Sequence, residues 1–203
     1  MHSGNVDNHT YVFDAEKIES VLAPAFSFFI SSPAYPLSAL PRMTGCGVYG
    51  IFLVDAKNTP YDGIVDTSHP IYVGKAVPPG SRQGKGLQDD EANKLIKRLS
   101  EHRRSLESVT NLGSSRFECR FMIMNGSAAD LIGAMESYII RRLQPLWNSH
   151  IDGFGNHAPG SGRYAQAPSE WDTIHNGRGF VSKLTGAAPD SNLIMNKIKN
   201  YVK

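Results

Sequence analysis

Apolar and polar positions follow a period of two in one stretch of the chain and helical spacing in two others. Across residues 116–124, Phe117, Cys119, Phe121 and Ile123 fall on one face and Arg116, Glu118 and Arg120 on the other, which predicts a half-buried strand. The run 48–54 is rich in β-branched and aromatic residues and predicts a buried strand. A shorter strand at 70–73 follows a polar loop containing Pro60, Asp62 and Gly63. Helical spacing places Leu95, Leu99, His102 and Leu106 on one stripe of a helix from about Leu87 to Leu106. Ser127, with Asp130 at the capping-box distance, begins another that runs to about Leu143, ahead of Pro145. Asp14 is expected to cap a short helix through Leu22, followed by an apolar arm broken by Pro24, Pro33 and Pro36. Asp190 or Ser191 caps a last short helix. Between residues 77 and 86, Pro78, Pro79 and repeated glycines exclude regular structure.

Composition narrows the class. With 203 residues and 40% apolar side chains, the chain can bury a sizeable core as one domain with extensions, without disulfides. Cys46 and Cys119 form no CxxC or Cys/His pattern, so free thiols are expected and structural zinc is not. The most apolar stretch, 21–40, is interrupted by prolines, and Asp7, Asp14, Glu16 and Glu19 precede it where a signal peptide needs cations. A cytoplasmic protein is expected. The net charge of +2 indicates no polyanion partner by itself, but its distribution does: residues 1–91 hold 6 Lys/Arg against 10 Asp/Glu, and residues 141–203 hold 8 against 4.

Three sets of residues demand a chemical reason. Glu136 shares a helical stripe with Ile132, Ile139, Ile140 and Leu143, where an unpaired carboxylate is costly. Either it pairs with Arg116 or Arg120 on the neighbouring strand, or it ligates a metal; one carboxylate with waters and phosphate oxygens is how Mg²⁺ is usually held. Arg98 and His102 stand one turn apart beside Leu95 and Leu99, and a guanidinium fork matches a phosphate's oxygens. Tyr49 and Tyr72 sit in short strands beside glycines, where packing is the ordinary role of a tyrosine.

Their order along the chain carries a resemblance. The series Gly47-Val48-Tyr49, Tyr72-Val73-Gly74-Lys75, Leu95-Ile96-Lys97-Arg98 with His102 four residues on, then Glu136, Pro145 and Asn148, is similar to the motif series of the GIY-YIG nuclease family. It covers about residues 45–150. Valine replaces isoleucine in both short motifs, and a long insertion at about 77–93 makes Arg82 a rival to Arg98 by distance, although Arg98 alone stands in the Leu-x-x-Arg helical setting. The stretch GFGNHAPGSGRY and residues 171–179 resemble the tail of the homodimeric type II restriction endonucleases in that family, a branch that cuts CCGCGG.

The resemblance implies a mixed α/β fold with a small, mainly antiparallel three-stranded sheet flanked by helices. Residues 1–44 would form an N-terminal helix and arm, 45–150 the catalytic core, and 151–203 a recognition and dimerisation extension. It also implies double-stranded DNA as substrate, Mg²⁺ held by Glu136, a homodimer, and a cognate DNA methyltransferase as functional partner without stable contact. Arg98 would stabilise charge on the phosphate. Tyr49 would act as general base, its pKa lowered by Lys75 or His102, with Tyr72 positioning water or phosphate, or the two tyrosines with these roles exchanged, and Asn148 bonding near the site entrance. Arg82, Lys85, Arg163 and Arg178 are the candidates for reading DNA. A structure-specific or repair nuclease of the same family, and a non-catalytic DNA-binding module, are the alternatives.

Overall fold

The computed structural model of the protein describes residues 15–78 and 93–201. Its centre is an antiparallel sheet in the order β1 (Tyr35–Pro36), β4 (Phe117–Ile123), β2 (Gly47–Leu53), β3 (Tyr72–Ala76). The three expected strands are present, the one expected at 70–73 displaced to Tyr72–Ala76, and β1 adds a fourth along the edge of β4. Two residues carry too little alternation to be read as a strand, and Pro36 is tolerated because it lies on an edge.

Every residue of β2 is buried because helices cover both faces of the sheet. Tyr49, Ile51 and Leu53 point into one core with Leu95, Leu99 and Leu106 of α2 (Lys94–Glu107). Val48 points into the other, with Leu22 and Phe29 of α1 (Ala15–Ser31) and Ile132, Met135 and Ile139 of α3 (Ile132–Leu143). The register sets Tyr49 opposite Gly74 and Ile51 opposite Tyr72.

Two helix boundaries differ from expectation. Helix α1 runs through Pro24 to Ser31 instead of stopping at Leu22. Burial of Leu22 and Phe29 against the α3 layer outweighs the hydrogen bond that Pro24 removes. Ser127 caps nothing: residues Gly126–Leu131 form a 3₁₀ segment, and α3 begins at Ile132 without a side-chain cap. At the other end Asp190 does cap α6 (Ser191–Lys199), accepting from the Asn192 amide at 2.8 Å. The Asp14 cap, the helix start near Leu87, and Arg82 and Lys85 lie outside the described residues.

The segment after Asn148 continues the α2-side core. Trp147 of α4 (Leu146–Ser149), Phe154, Trp171 of α5 (Glu170–Ile174) and Ile194 and Ile198 of α6 are all buried there. A chain of buried polar groups ties these parts together. Trp147 Nε1 donates to the Tyr61 hydroxyl (2.9 Å), which meets His175 Nε2 (2.5 Å), and His175 Nδ1 meets Asn111 Oδ1 (2.8 Å). An amide oxygen only accepts, so Nδ1 carries the proton and Nε2 accepts from Tyr61. His175 is thus held neutral, and burial first, then Arg178, pushes its pKa down to about 3. Among the described residues no helix is long and apolar enough to cross a membrane.

Candidate active site

Antiparallel pairing of β2 with β3 brings the two short motifs side by side, and the glycine of the second has a steric task. A Cβ on Gly74 would lie 2.5 Å from the Tyr49 hydroxyl oxygen, so the Tyr49 ring can lie over β3 only where a side chain is missing. The Tyr49 hydroxyl meets His102 Nε2 of α2 at 2.7 Å. The Tyr72 ring closes a third side, 5.1 Å from the His102 ring and 6.4 Å from Tyr49.

This geometry corrects the expected electrostatics. His102 is only 2% exposed, and burial first, then the charge of Arg98, holds its pKa well below the ordinary 6.5, so it is a neutral partner and not a cation. The Tyr49 pKa is consequently raised instead of lowered. Burial dominates, the neighbouring Tyr72 adds to it, and Arg98 opposes it. Tyr72 is shifted upward too, again by burial first.

Glu136 finds its cation on β3 and not on β4. Lys75 Nζ lies 2.6 Å from Glu136 Oε2, whereas Arg116 is paired with Asp55 and Arg120 reaches the Ile30 carbonyl and stacks over Phe52. The sheet explains the change: Lys75 lies on the α3 side of edge strand β3, one residue after Gly74. Arg98 is 2.6 Å from Glu101 Oε2 and also donates to His157 from the segment after α4.

Tyr49, Tyr72, Lys75, Arg98 and Glu136 line one cleft of about 450 Å³, with His102 immediately behind Tyr49. Lys94, Lys97, Glu101 and His157 are the other polar residues of its lining. Four cations against two carboxylates suit an anionic ligand. Lys94, Lys97 and Glu101 were legible as neighbours of Arg98 on one helix, but His157 had no periodic signal.

Asn148 is not at the cleft mouth. Its Oδ1 accepts from the Val73 amide (2.7 Å) and its Nδ2 donates to the Val73 carbonyl (2.8 Å), so it caps the outer edge of β3. Arg178, expected on the surface, is buried. It is 6% exposed, its Nε lies 2.6 Å from Asp172 Oδ1, and it donates to the carbonyls of Gly153, Phe154 and Asn156. Arg163 is exposed and lines a second, polar cleft of about 590 Å³.

No curated protein matches the chain. The family model described as the Eco29kI GIY-YIG domain matches residues 41–202, which includes β2, β3 and β4, every residue of the cleft and nearly the whole C-terminal segment. By its fold, its paired tyrosine motifs and this match, the chain belongs to the Eco29kI-type GIY-YIG restriction endonuclease family.

Proposed function

We propose that the protein is a type II site-specific restriction endonuclease that hydrolyses double-stranded DNA with Mg²⁺. CCGCGG is the first site to test. The observation that carries the reading is the convergence of Tyr49, Tyr72, Lys75, Arg98 and Glu136 on one cleft in a chain of this family. A homodimer belongs to the proposal because two-fold symmetry in the protein matches a palindrome. So do a methyltransferase that protects the same sequence and action in the cytoplasm.

Glu136 fits a Mg²⁺ ligand. Its Oε2 is taken by Lys75, and among the described residues no hydrogen bond reaches Oε1 and no group of three or more His, Cys, Asp or Glu side chains gathers. A single carboxylate with coordination otherwise left to water and phosphate oxygens suits this ion. Bound there, Mg²⁺ supplies neutralising charge to the phosphate and the leaving oxygen.

The chain's own residues then divide the work. Arg98 places a fixed positive fork against the phosphate, where charge grows during phosphoryl transfer. Lys75 neutralises Glu136 before substrate binds and afterwards serves a phosphate oxygen. The Tyr49 phenol stays protonated at neutral pH, so it acts by relay. With its O–H donated to His102 Nε2 and one lone pair engaged by Arg98, its oxygen keeps a second lone pair to accept a proton from the attacking water as its own proton passes to His102. Burial disfavours the imidazolium, and the negative phosphate in the cleft offsets that cost. Tyr72 holds the far side of the water.

Digestion of a sequenced, unmethylated plasmid in Mg²⁺, with mapping of the ends, tests the proposal. A few discrete fragments ending in one palindrome are expected. Cleavage only of branched or damaged DNA would mark a structure-specific nuclease, and binding without cleavage a non-catalytic module.

A further inference from the structure

Residues 153–157, Gly-Phe-Gly-Asn-His, touch His102 behind the cleft and then Tyr72 and Arg98 in its wall, although they lie beyond the sheet and its flanking helices. Phe154, 1% exposed, stacks on the His102 ring at 4.7 Å with 19° between the planes. A Cβ on Gly155 would stand 2.5 Å from the Tyr72 hydroxyl oxygen, so this glycine lets the segment press against the second tyrosine. Two residues later His157 bonds Arg98.

The segment is held from behind by Arg178. Its Nη2 donates to the Gly153 carbonyl (2.9 Å) and its Nη1 to those of Phe154 (3.1 Å) and Asn156 (3.1 Å). Nε is engaged by Asp172, whose other carboxylate oxygen accepts from Ser169 Oγ at 2.7 Å. The side chains of this pair are 4% and 2% exposed, and the guanidinium lies 4.7 Å from the Trp171 ring centroid. A buried cation whose donors go to carbonyls of one short segment fixes that segment's course.

The end of this strut is chemically specific. A guanidinium has no lone pair to offer, so in the contact between Arg98 Nη1 and His157 Nε2 the arginine donates and the imidazole accepts. Glu101 Oε2 accepts from the same Nη1. Two acceptors, one on α2 and one in the C-terminal segment, therefore use both hydrogens of Nη1, and the guanidinium also bonds the Tyr49 hydroxyl.

We propose that His157 is a positioning residue for DNA cleavage, which sets the guanidinium of Arg98 from the C-terminal segment, with the Asp172–Arg178 pair as the strut behind it. The inference rests on the nuclease reading above. Without His157, Arg98 keeps its contacts to Glu101 and Tyr49 but loses the one acceptor that reaches it from the C-terminal segment, and its guanidinium plane is less tightly set. Such freedom lowers the rate of the chemical step while leaving substrate binding in place, and misplacement of a catalytic group by about 1 Å costs on the order of 10² in rate.

The test is single-turnover cleavage of a duplex containing the mapped site by wild type, His157→Ala and His157→Gln, with binding measured without metal and thermal unfolding alongside. His157→Ala is expected to lower kcat on the order of 10²-fold with Kd and Tm unchanged, because the side chain is exposed and supports no core. His157→Gln restores most of the rate, since its amide oxygen accepts from Arg98. Wild-type kcat in His157→Ala, or no recovery in His157→Gln, overturns the inference while leaving the nuclease reading standing. Wild-type protein that cleaves no duplex overturns both.

Discussion

Tyr49 shows how far burial alone can reverse an assignment based on residue type. Its hydroxyl meets the neutral His102 Nε2 and is also hydrogen-bonded by Arg98, inside a cage closed by Tyr72. A tyrosinate would be unstable there, and a phenol that passes its proton on would not. Tyr49→Phe keeps the ring over Gly74 and removes the relay. Its cleavage rate is expected to fall by about 10² to 10⁴. The same change strands a buried imidazole nitrogen, so chemical denaturation should report a loss of about 1 to 3 kcal/mol. Activity close to wild type would move the proton-accepting role to Tyr72.

At the scale of elements, β3 is the short edge strand from which Tyr72 and Lys75 enter the cleft, and Asn148 holds its outer side through both backbone groups of Val73. Asn148→Ala should cost about 1 to 3 kcal/mol, because two backbone polar groups lose their partner, and should lower activity through a less rigid β3. Stability equal to wild type would show that the clamp is idle. Elements of this length also mark the limit of what the sequence discloses. Alternation in 116–124 and the apolar run at 48–54 place β4 and β2, because each spans a full buried face. The ordered motifs place Tyr49, Tyr72, Arg98 and Glu136 in one cleft. The partner of Glu136 was not legible, because Lys75 lies 61 residues away in sequence and only the β2–β3 register and the packing of α3 bring them together. Arg178 read as a basic surface residue for a similar reason: nothing in its local sequence reveals three carbonyls waiting in a segment 22 to 25 residues earlier. Pro24 misled because burial of Phe29 lies outside any local propensity.

Across the whole molecule, the α2 side of the sheet and the C-terminal segment are joined by buried ionisable groups, and their protonation is linked to folding. His175 titrates at about 3 when folded against an ordinary 6.5, so the unfolded chain binds more protons between those values. The stability this supplies is complete above pH 6.5 and is lost as pH falls toward 3. Burial of His102 acts in the same direction. Between pH 7 and pH 5 the loss from His175 alone is expected to be about 2 kcal/mol, measurable as a fall in the urea midpoint. A midpoint that does not change over that interval would contradict the buried neutral network. Arg178→Ala breaks a buried ion pair from one side, so it is expected to destabilise by about 3 to 5 kcal/mol, a far larger effect than loss of a surface arginine.

The claim that unites these scales is that the cleft at the edge of β3 is a metal-dependent phosphodiesterase centre with Glu136 as its one carboxylate toward the ion. Single-turnover cleavage of a site-containing duplex in Mg²⁺ by wild type and Glu136→Gln tests it most directly. The amide keeps the shape of the side chain and a contact to Lys75, but removes the charge that would hold the ion. A fall of about 10³ or more in rate, with DNA affinity and unfolding temperature unchanged, is the expected result. Cleavage by Glu136→Gln at the wild-type rate would contradict it and leave the Lys75–Glu136 pair a structural contact.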